Sequence, residues 1–210
     1  MKHFIVTTLV ALGLTGWVNA QALEGDAATG QAQAVVCGAC HGADGNSAAA
    51  AFPKLAGLGE KYLLKQLLDI QSGARTVPTM AGQLDGKSTQ NLADLAAYYA
   101  SQTRTVGQAN AELVELGEKI YRAGNAEVGI AACTACHSPT GKGNYPAGFP
   151  ALGGQHADYI EAQLKAFREG ANEPGKGRDN DGETRVMRDV AARMSDIEMR
   201  SVASYIQGLH

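Results

Sequence analysis

The chain has 210 residues, of which 45% are hydrophobic, and a formal net charge of −3 at neutral pH. This length allows one or two small globular domains. No basic patch or basic run stands out in the sequence, which argues against nucleic acid as a partner.

The amino terminus has the pattern of a secretory signal peptide. Lys2 precedes the uncharged stretch of residues 4–18, and the small residues "VNAQA" follow. We predict a signal peptide over residues 1–20, cleaved after Ala20 or Ala22. A membrane anchor is the alternative, but the run is shorter than the roughly 20 apolar residues that a span needs. The expected location is therefore the periplasm of a Gram-negative host.

The four cysteines of the chain lie in two copies of one motif, "CGACH" at residues 37–41 and "CTACH" at residues 133–137. Such pairs can form a redox dithiol, bind zinc or attach a haem covalently. A Cys-x-x-Cys disulfide closes a very small loop and constrains little of the unfolded chain. A zinc ribbon needs its two pairs roughly 15–20 residues apart, whereas 92 residues separate Cys40 from Cys133. A thioredoxin-like site would need a βαβ setting, which neither pair has.

Covalent haem attachment is the interpretation that uses the histidine of each motif as well as its thiols. Each thiol adds to a vinyl group, and the adjacent imidazole becomes an iron ligand. We therefore predict two haem c groups, with His41 and His137 as axial ligands. The predicted attachment residues are Cys37, Cys40, Cys133 and Cys136.

An internal repeat defines the domain organisation. The segment "FPKLAGLGEKYLLKQLLDIQSGA" from Phe52 matches "FPALGGQHADYIEAQLKAFREGA" from Phe149 at an offset of 97 residues. The segment "STQNLADLAAYYASQ" from Ser88 matches "SDIEMRSVASYIQGL" from Ser195 at an offset of 107. The order of elements is the same in both halves, so the halves are two copies of one domain.

Both copies are predicted to be all-α, because helical periodicity dominates and alternation of period two is almost absent. The first copy should contain helices from Asp26 to Cys37, over about 59–72 and over about 88–101. These three helices would enclose one macrocycle. The predicted domains are residues 21–105 and 106–210, with a linker over residues 102–110.

The second axial ligands are predicted from the methionines of the repeat. Met80 and Met187 differ by 107 residues, which is the offset of the final helices, and each is expected in a loop. A thioether ligand favours reduced iron, as suits an electron carrier. Met194 and Met199 have no methionine counterpart. We therefore predict Met80 and Met187 as ligands and Met199 as a core residue, and assign Met194 no role.

Pro53 and Pro150 occupy equivalent positions soon after the two haem motifs. A ligating histidine usually donates its second N–H to a backbone carbonyl or a carboxylate. The carbonyl of each proline could accept that proton. An ordinary turn proline explains these residues equally well when only the residue pattern is considered.

The sequence resembles the cytochrome c4 family, the dihaem periplasmic members of the class I cytochromes c. The resemblance covers the predicted mature chain and includes "VCGACHGADGNS", "FPKLAGLGEKYLLKQLLDI", "AGFPALGGQH", "FREG" and "SYIQGLH". It implies two cytochrome c domains related by a pseudo-twofold axis, with the haems facing each other across the interface. It also implies His/Met ligation at the residues named above, with Pro53 and Pro150 as carbonyl partners of the histidines.

The resemblance further implies an electron carrier rather than an enzyme. Family members carry electrons from the quinol-oxidising part of a respiratory chain to a haem-copper terminal oxidase, such as the cbb3 type, or to other periplasmic acceptors. Loose membrane association is also expected. The alternatives are a cytochrome subunit of a periplasmic dehydrogenase and a dihaem peroxidase. A peroxidase needs an open or releasable iron position, whereas each domain here offers a methionine.

Overall fold

The computed structural model describes residues 23–210, and the predicted signal peptide and its cleavage sites lie outside the described residues. None of the described helices combines the length and the apolar character needed to cross a bilayer. Residues 23–210 contain nine helices, two short 3₁₀ turns (Ala34–Val36 and Pro78–Met80) and only isolated β-bridges. The helices are α1 (Ala27–Gln33), α2 (Gly38–His41), α3 (Glu60–Ser72), α4 (Thr89–Ala100), α5 (Val114–Ala123), α6 (Thr134–His137), α7 (Ala157–Asn172), α8 (Val186–Ala191) and α9 (Asp196–Gly208).

Local sequence sets the ends of the first-domain helices, as predicted. The Asp26 carboxylate accepts a hydrogen bond from the Thr29 backbone N–H at 2.6 Å and caps α1. Gly73 ends α3 in the left-handed conformation, with φ of +80°. Ser88 and Asn91 form a reciprocal capping box at the start of α4.

The last helix of the second domain begins with a capping box formed by Ser195 and Glu198. The Glu198 carboxylate accepts from the Ser195 backbone N–H at 2.8 Å and also from the Asn125 amide at 2.9 Å. Burial by itself raises the pKa of Glu198, but these hydrogen bonds outweigh it and the pKa lies below its ordinary value.

In each domain a glycine allows the first and last helices to cross closely. A Cβ placed on Gly30 of α1 would lie 1.9 Å from the backbone oxygen of Asp94 in α4. A Cβ on Gly117 of α5 would lie 2.2 Å from the backbone oxygen of Ser201 in α9. Any larger residue at either position would force the two helices apart. Both domains therefore need a glycine where their first and last helices cross.

Each domain has its own hydrophobic core, which supports the two-domain all-α prediction. The first core includes Leu63, Leu92 and Leu95, and the second includes Ile120 and Met199. Met199 is 0% exposed, which confirms its predicted place in the core.

The larger offset of the last helices comes from an insertion within residues 172–183 of the second repeat, and residues 173–185 contain no regular helix. Met187 lies in the short helix α8, which follows this insertion, rather than in the predicted loop. Arg188 Nε donates to Asp181 Oδ1 at 2.6 Å, and both side chains are largely buried. This ion pair, together with the bond from the Arg188 backbone N–H to the same carboxylate, ties the insertion to the start of α8.

Candidate haem-binding sites

The two Cys-x-x-Cys-His motifs each form a single helical turn. His41 N–H donates to the Cys37 carbonyl at 3.0 Å, and His137 N–H donates to the Cys133 carbonyl at 2.9 Å. This turn keeps each histidine and its two cysteines within a few residues of one another on one helical turn. Both histidines are buried, with 7% of the residue exposed in each case. Cys37 packs against the first core and Cys133 against the second, so the two motifs belong to different domains.

Each buried imidazole is held in one orientation by a proline carbonyl. Nδ1 of His41 lies 2.9 Å from the Pro53 oxygen, and Nδ1 of His137 lies 2.9 Å from the Pro150 oxygen. Because a carbonyl can only accept, Nδ1 carries the proton and the Nε2 lone pair is left for a metal. The contact expected from the resemblance is thus present in both domains.

Burial favours the neutral imidazole that iron ligation requires. It lowers the pKa of His41 and of His137, although the proline carbonyls act in the opposite direction. Burial also raises the pKa of the Cys133 thiol to about 11. A thiol of raised pKa forms little thiolate at neutral pH, which disfavours Cys133 as the attacking thiol of a redox dithiol.

The methionines predicted as ligands lie next to the cores that carry the haem motifs. Met80 ends a 3₁₀ turn and packs, as Cys37 does, against the first core. Met187 packs, as Cys133 does, against the second core. Met194 is 4% exposed within that core. In each domain, the methionine predicted as a ligand and the first cysteine of the haem motif therefore pack against the same core.

The domain interface contains polar residues that sequence analysis missed. Gln155 of the second domain is 1% exposed. Its Nε2 donates to the Lys54 carbonyl at 2.8 Å, and its Oε1 accepts from the Lys54 backbone N–H at 2.9 Å. The Lys54 ammonium in turn donates to the carbonyls of Thr105 and Gly154. The linker is thereby fixed against both domains.

A second interface cluster joins α3 to α7 through two arginines. Its members are Tyr62, Gln66, Arg75, Tyr159, Gln163 and Arg178. The repeat offset of 97 relates the tyrosines and also the glutamines. The matching positions of the glutamines could have predicted a shared role for them. The two arginines are 103 residues apart, so the repeat alignment does not pair them.

Both halves of the chain are similar to one family of known proteins. The cytochrome c family model matches this chain twice, over residues 27–103 and 114–210. The chain is thus a c-type cytochrome with two tandem domains, and it binds two covalent haem c groups.

The chain belongs more particularly to the cytochrome c4 family. It is 55% identical over 210 residues to cytochrome c4 of Pseudomonas aeruginosa, covering 100% of both chains. The crystal structure of reduced cytochrome c4 from Pseudomonas stutzeri matches with a TM-score of 0.84 and 53% identity, over 89% of this chain and 100% of that chain. A thiosulfate dehydrogenase electron acceptor of Thiomonas intermedia is 37% identical over 98% of this chain and 93% of its own. Family membership makes the protein an electron carrier rather than an enzyme.

Proposed function

We propose that the protein carries electrons in the periplasm from the quinol-oxidising part of a respiratory chain to a haem-copper terminal oxidase. The domains would be residues 21–105 and 106–210, each with one His/Met-ligated haem c. The proposed ligand pairs are His41 with Met80 and His137 with Met187. The observation that carries the proposal is the repeated contact from Nδ1 to the proline carbonyl at 2.9 Å, which leaves each Nε2 free for iron.

The haem c groups supply reversible one-electron chemistry, and the residues of the chain limit them to it. A histidine and a methionine in each domain would fill both axial positions, so the sites would offer peroxide no place to bind. Each histidine is itself buried and hydrogen-bonded to a proline carbonyl, which would keep its orientation fixed when the charge of the iron changes. These features suit a carrier and disfavour the peroxidase alternative.

The two domains present different charges to partners. Residues 23–107 contain 6 Lys and Arg against 7 Asp and Glu, whereas residues 108–210 contain 11 against 14. Charge differences of this kind act mainly on encounter rates. We therefore propose that donor and acceptor dock on different domains, with exchange rates that depend on ionic strength.

The decisive test combines mass determination, optical redox titration and stopped-flow kinetics on the purified mature protein. We expect the mass of the polypeptide plus two haems, beginning at Gln21 or Leu23, and two low-spin centres with iron–sulfur charge-transfer bands. Electrons should pass from a quinol-oxidising complex to an oxidase at salt-dependent rates. Rapid peroxide turnover, with a high-spin haem appearing on half-reduction, would instead support a peroxidase.

The similarity to a thiosulfate dehydrogenase electron acceptor supports a second candidate, acceptance of electrons from a periplasmic dehydrogenase. The lower identity, 37% against 55%, makes it the weaker candidate. Reduction by a thiosulfate dehydrogenase that is faster than reduction by a quinol-oxidising complex, at equal concentrations, would favour the second candidate.

Cell fractionation tests the proposed periplasmic location and loose membrane association. Recovery in the osmotic-shock fraction would show free periplasmic protein, whereas recovery with washed membranes would show membrane-associated protein.

A further inference from the structure

His156 of the second domain contacts a loop of the first domain. Its Nε2 lies 3.0 Å from the Ser47 hydroxyl oxygen and 2.9 Å from the Ser47 carbonyl oxygen. The Ser47 hydroxyl donates its own proton to the Phe52 carbonyl at 2.6 Å, so its oxygen can only accept from the imidazole. Because a carbonyl also can only accept, Nε2 carries a proton and donates it to Ser47. The other ring nitrogen, Nδ1, is therefore the position at which His156 can take up a further proton.

The loop that His156 contacts leads directly to the proposed iron ligand of the first haem. Its closing hydrogen bond joins Ser47, which is 3% exposed, to Phe52. The next residue, Pro53, has the carbonyl that accepts from Nδ1 of His41 at 2.9 Å. The Phe52 ring also lies edge-on to the His41 imidazole, with the ring centroids 6.2 Å apart. A short chain of contacts thus joins His156 to His41 across the domain interface.

The second domain differs from the first at the equivalent carbonyl. The repeat offset of 97 relates Phe52 to Phe149, and the Phe149 carbonyl accepts from the Asn144 backbone N–H at 3.0 Å. A backbone amide does not change its charge with pH, whereas an imidazole does. The same offset places Gly59 at the position of His156 in the first repeat. The two haem motifs therefore have different surroundings with respect to a titratable side chain.

The charged side chains on the segments around His156 are engaged with other groups. Asp44 accepts hydrogen bonds from the asparagine two residues further along the chain. Lys54 and Arg104 donate to backbone carbonyls, and Asp158 of α7 is exposed to solvent. No salt bridge within residues 23–210 includes His156. Protonation of His156 would therefore add a positive charge to the interface without an ion-pair partner.

We propose that His156 acts across the domain interface as a proton-sensitive positioning residue, whose protonation raises the midpoint potential of the first haem. The inference rests on the ligation of that haem by His41 in the proposed function. Ferric haem has one more positive charge than ferrous haem, so a nearby cation disfavours the ferric form. The imidazole of the second domain thereby adjusts the electron affinity of the haem in the first domain.

Few other side chains of the chain could produce this effect near neutral pH. Histidine is the side chain that ordinarily changes its charge between pH 5 and pH 8. The chain has five histidines. His41 and His137 are the proposed iron ligands, and His3 lies in the predicted signal peptide. His156 and the exposed His210 are the two that are left.

The coupling between the proton and the electron must act in both directions. As the pH rises and His156 loses its charge, the potential of the first haem should fall. By linkage, reduction of the first haem should favour the protonated imidazole to the same extent. A histidine that only joined the domains would affect the stability of the interface and would give the potential no pH dependence.

The test is optical redox titration of the mature holoprotein from about pH 5 to pH 8, as wild type and as His156→Gln. Glutamine keeps an N–H donor for Ser47 but does not titrate. We expect the first potential to fall with pH in the wild type and to stay near the wild-type alkaline value in the variant. Met80→Ala, which should lower the potential of the first haem, identifies that centre. The control His210→Gln should keep the wild-type pH dependence.

Haem content and the iron–sulfur bands are recorded on the same samples. Equal pH dependence in the wild type and in His156→Gln would overturn the inference while the carrier function stands, and so would a dependence confined to the second haem. Absence of the iron–sulfur band of the first haem from the wild type would contradict the proposed ligation and the inference together.

A second measurement needs only the wild type and covers the case in which His156→Gln does not mature. The ring signals of His156 are followed by NMR against pH in the fully oxidised and the fully reduced protein. They should change at a higher pH in the reduced protein, because reduction removes a positive charge from the neighbouring haem. The same titration curve in both oxidation states would overturn the inference.

Discussion

Replacement of Gln155 by leucine should destabilise the contact between the domains. The amide of Gln155 satisfies both backbone groups of Lys54, at 2.8 and 2.9 Å, and also accepts from the His156 N–H at 3.0 Å. Leucine has a similar volume but no polar atom. Because both Gln155 and Lys54 are buried, water cannot readily replace the lost partners.

The magnitude follows from the number of groups left without a partner. A buried polar group that loses its hydrogen bond costs about 1–3 kcal/mol. With two backbone groups of Lys54 affected, and some compensation from the apolar side chain, we expect a loss of about 3 kcal/mol. For a chain of this size each 1 kcal/mol lowers the melting temperature by roughly 2–4 °C. The expected decrease is therefore roughly 6–12 °C.

The assay is thermal unfolding of the holoprotein followed by far-UV circular dichroism, with Gln31→Leu as the control. Gln31 is exposed on α1, so the same chemical change there should alter stability by no more than about 0.5 kcal/mol. If Gln155→Leu unfolds at the same temperature as the control, the amide bridge does not stabilise the fold and the argument from buried polar groups fails.

Two further predictions concern the ligands and the response to acid. Met80→Ala or Met187→Ala should each abolish one near-infrared iron–sulfur band and lower the potential of that haem, because the ligand that favours Fe(II) is lost. Met199→Leu should keep both bands and cost under about 1.5 kcal/mol; a lost band there would contradict the repeat alignment. The depressed pKa of Glu198 means that its contribution to stability is full above pH 4.5 and is lost as the pH falls through the folded-state value. Urea unfolding from pH 6 to pH 3 should show a shallower loss in Glu198→Gln, whereas Asn91→Ala, altered in the capping box that has no carboxylate, should keep the wild-type slope.

Local sequence determined the haem motifs, the helix ends and the division into two domains. Cys37 and His41 lie in one helical turn, so their spacing in the chain already fixes their proximity. The repeat distinguished Met80 and Met187 from Met199, whose burial the structure then confirmed. Their role as iron ligands remains a prediction. The helix α8 was missed because its six residues are too few to show helical periodicity.

Contacts between the two repeats were decided only by the tertiary structure. The repeat offset of 97 relates Tyr62 to Tyr159, but it does not show that each accepts a hydrogen bond from the arginine of the opposite domain. Lys54 and Gln155 likewise have the composition of an ordinary polar surface, yet they lie buried together. Helix ends and covalent motifs depend on neighbours along the chain, which the sequence displays directly. A polar interface depends on how two folded domains are placed against each other, and a residue pattern within either domain does not record that placement.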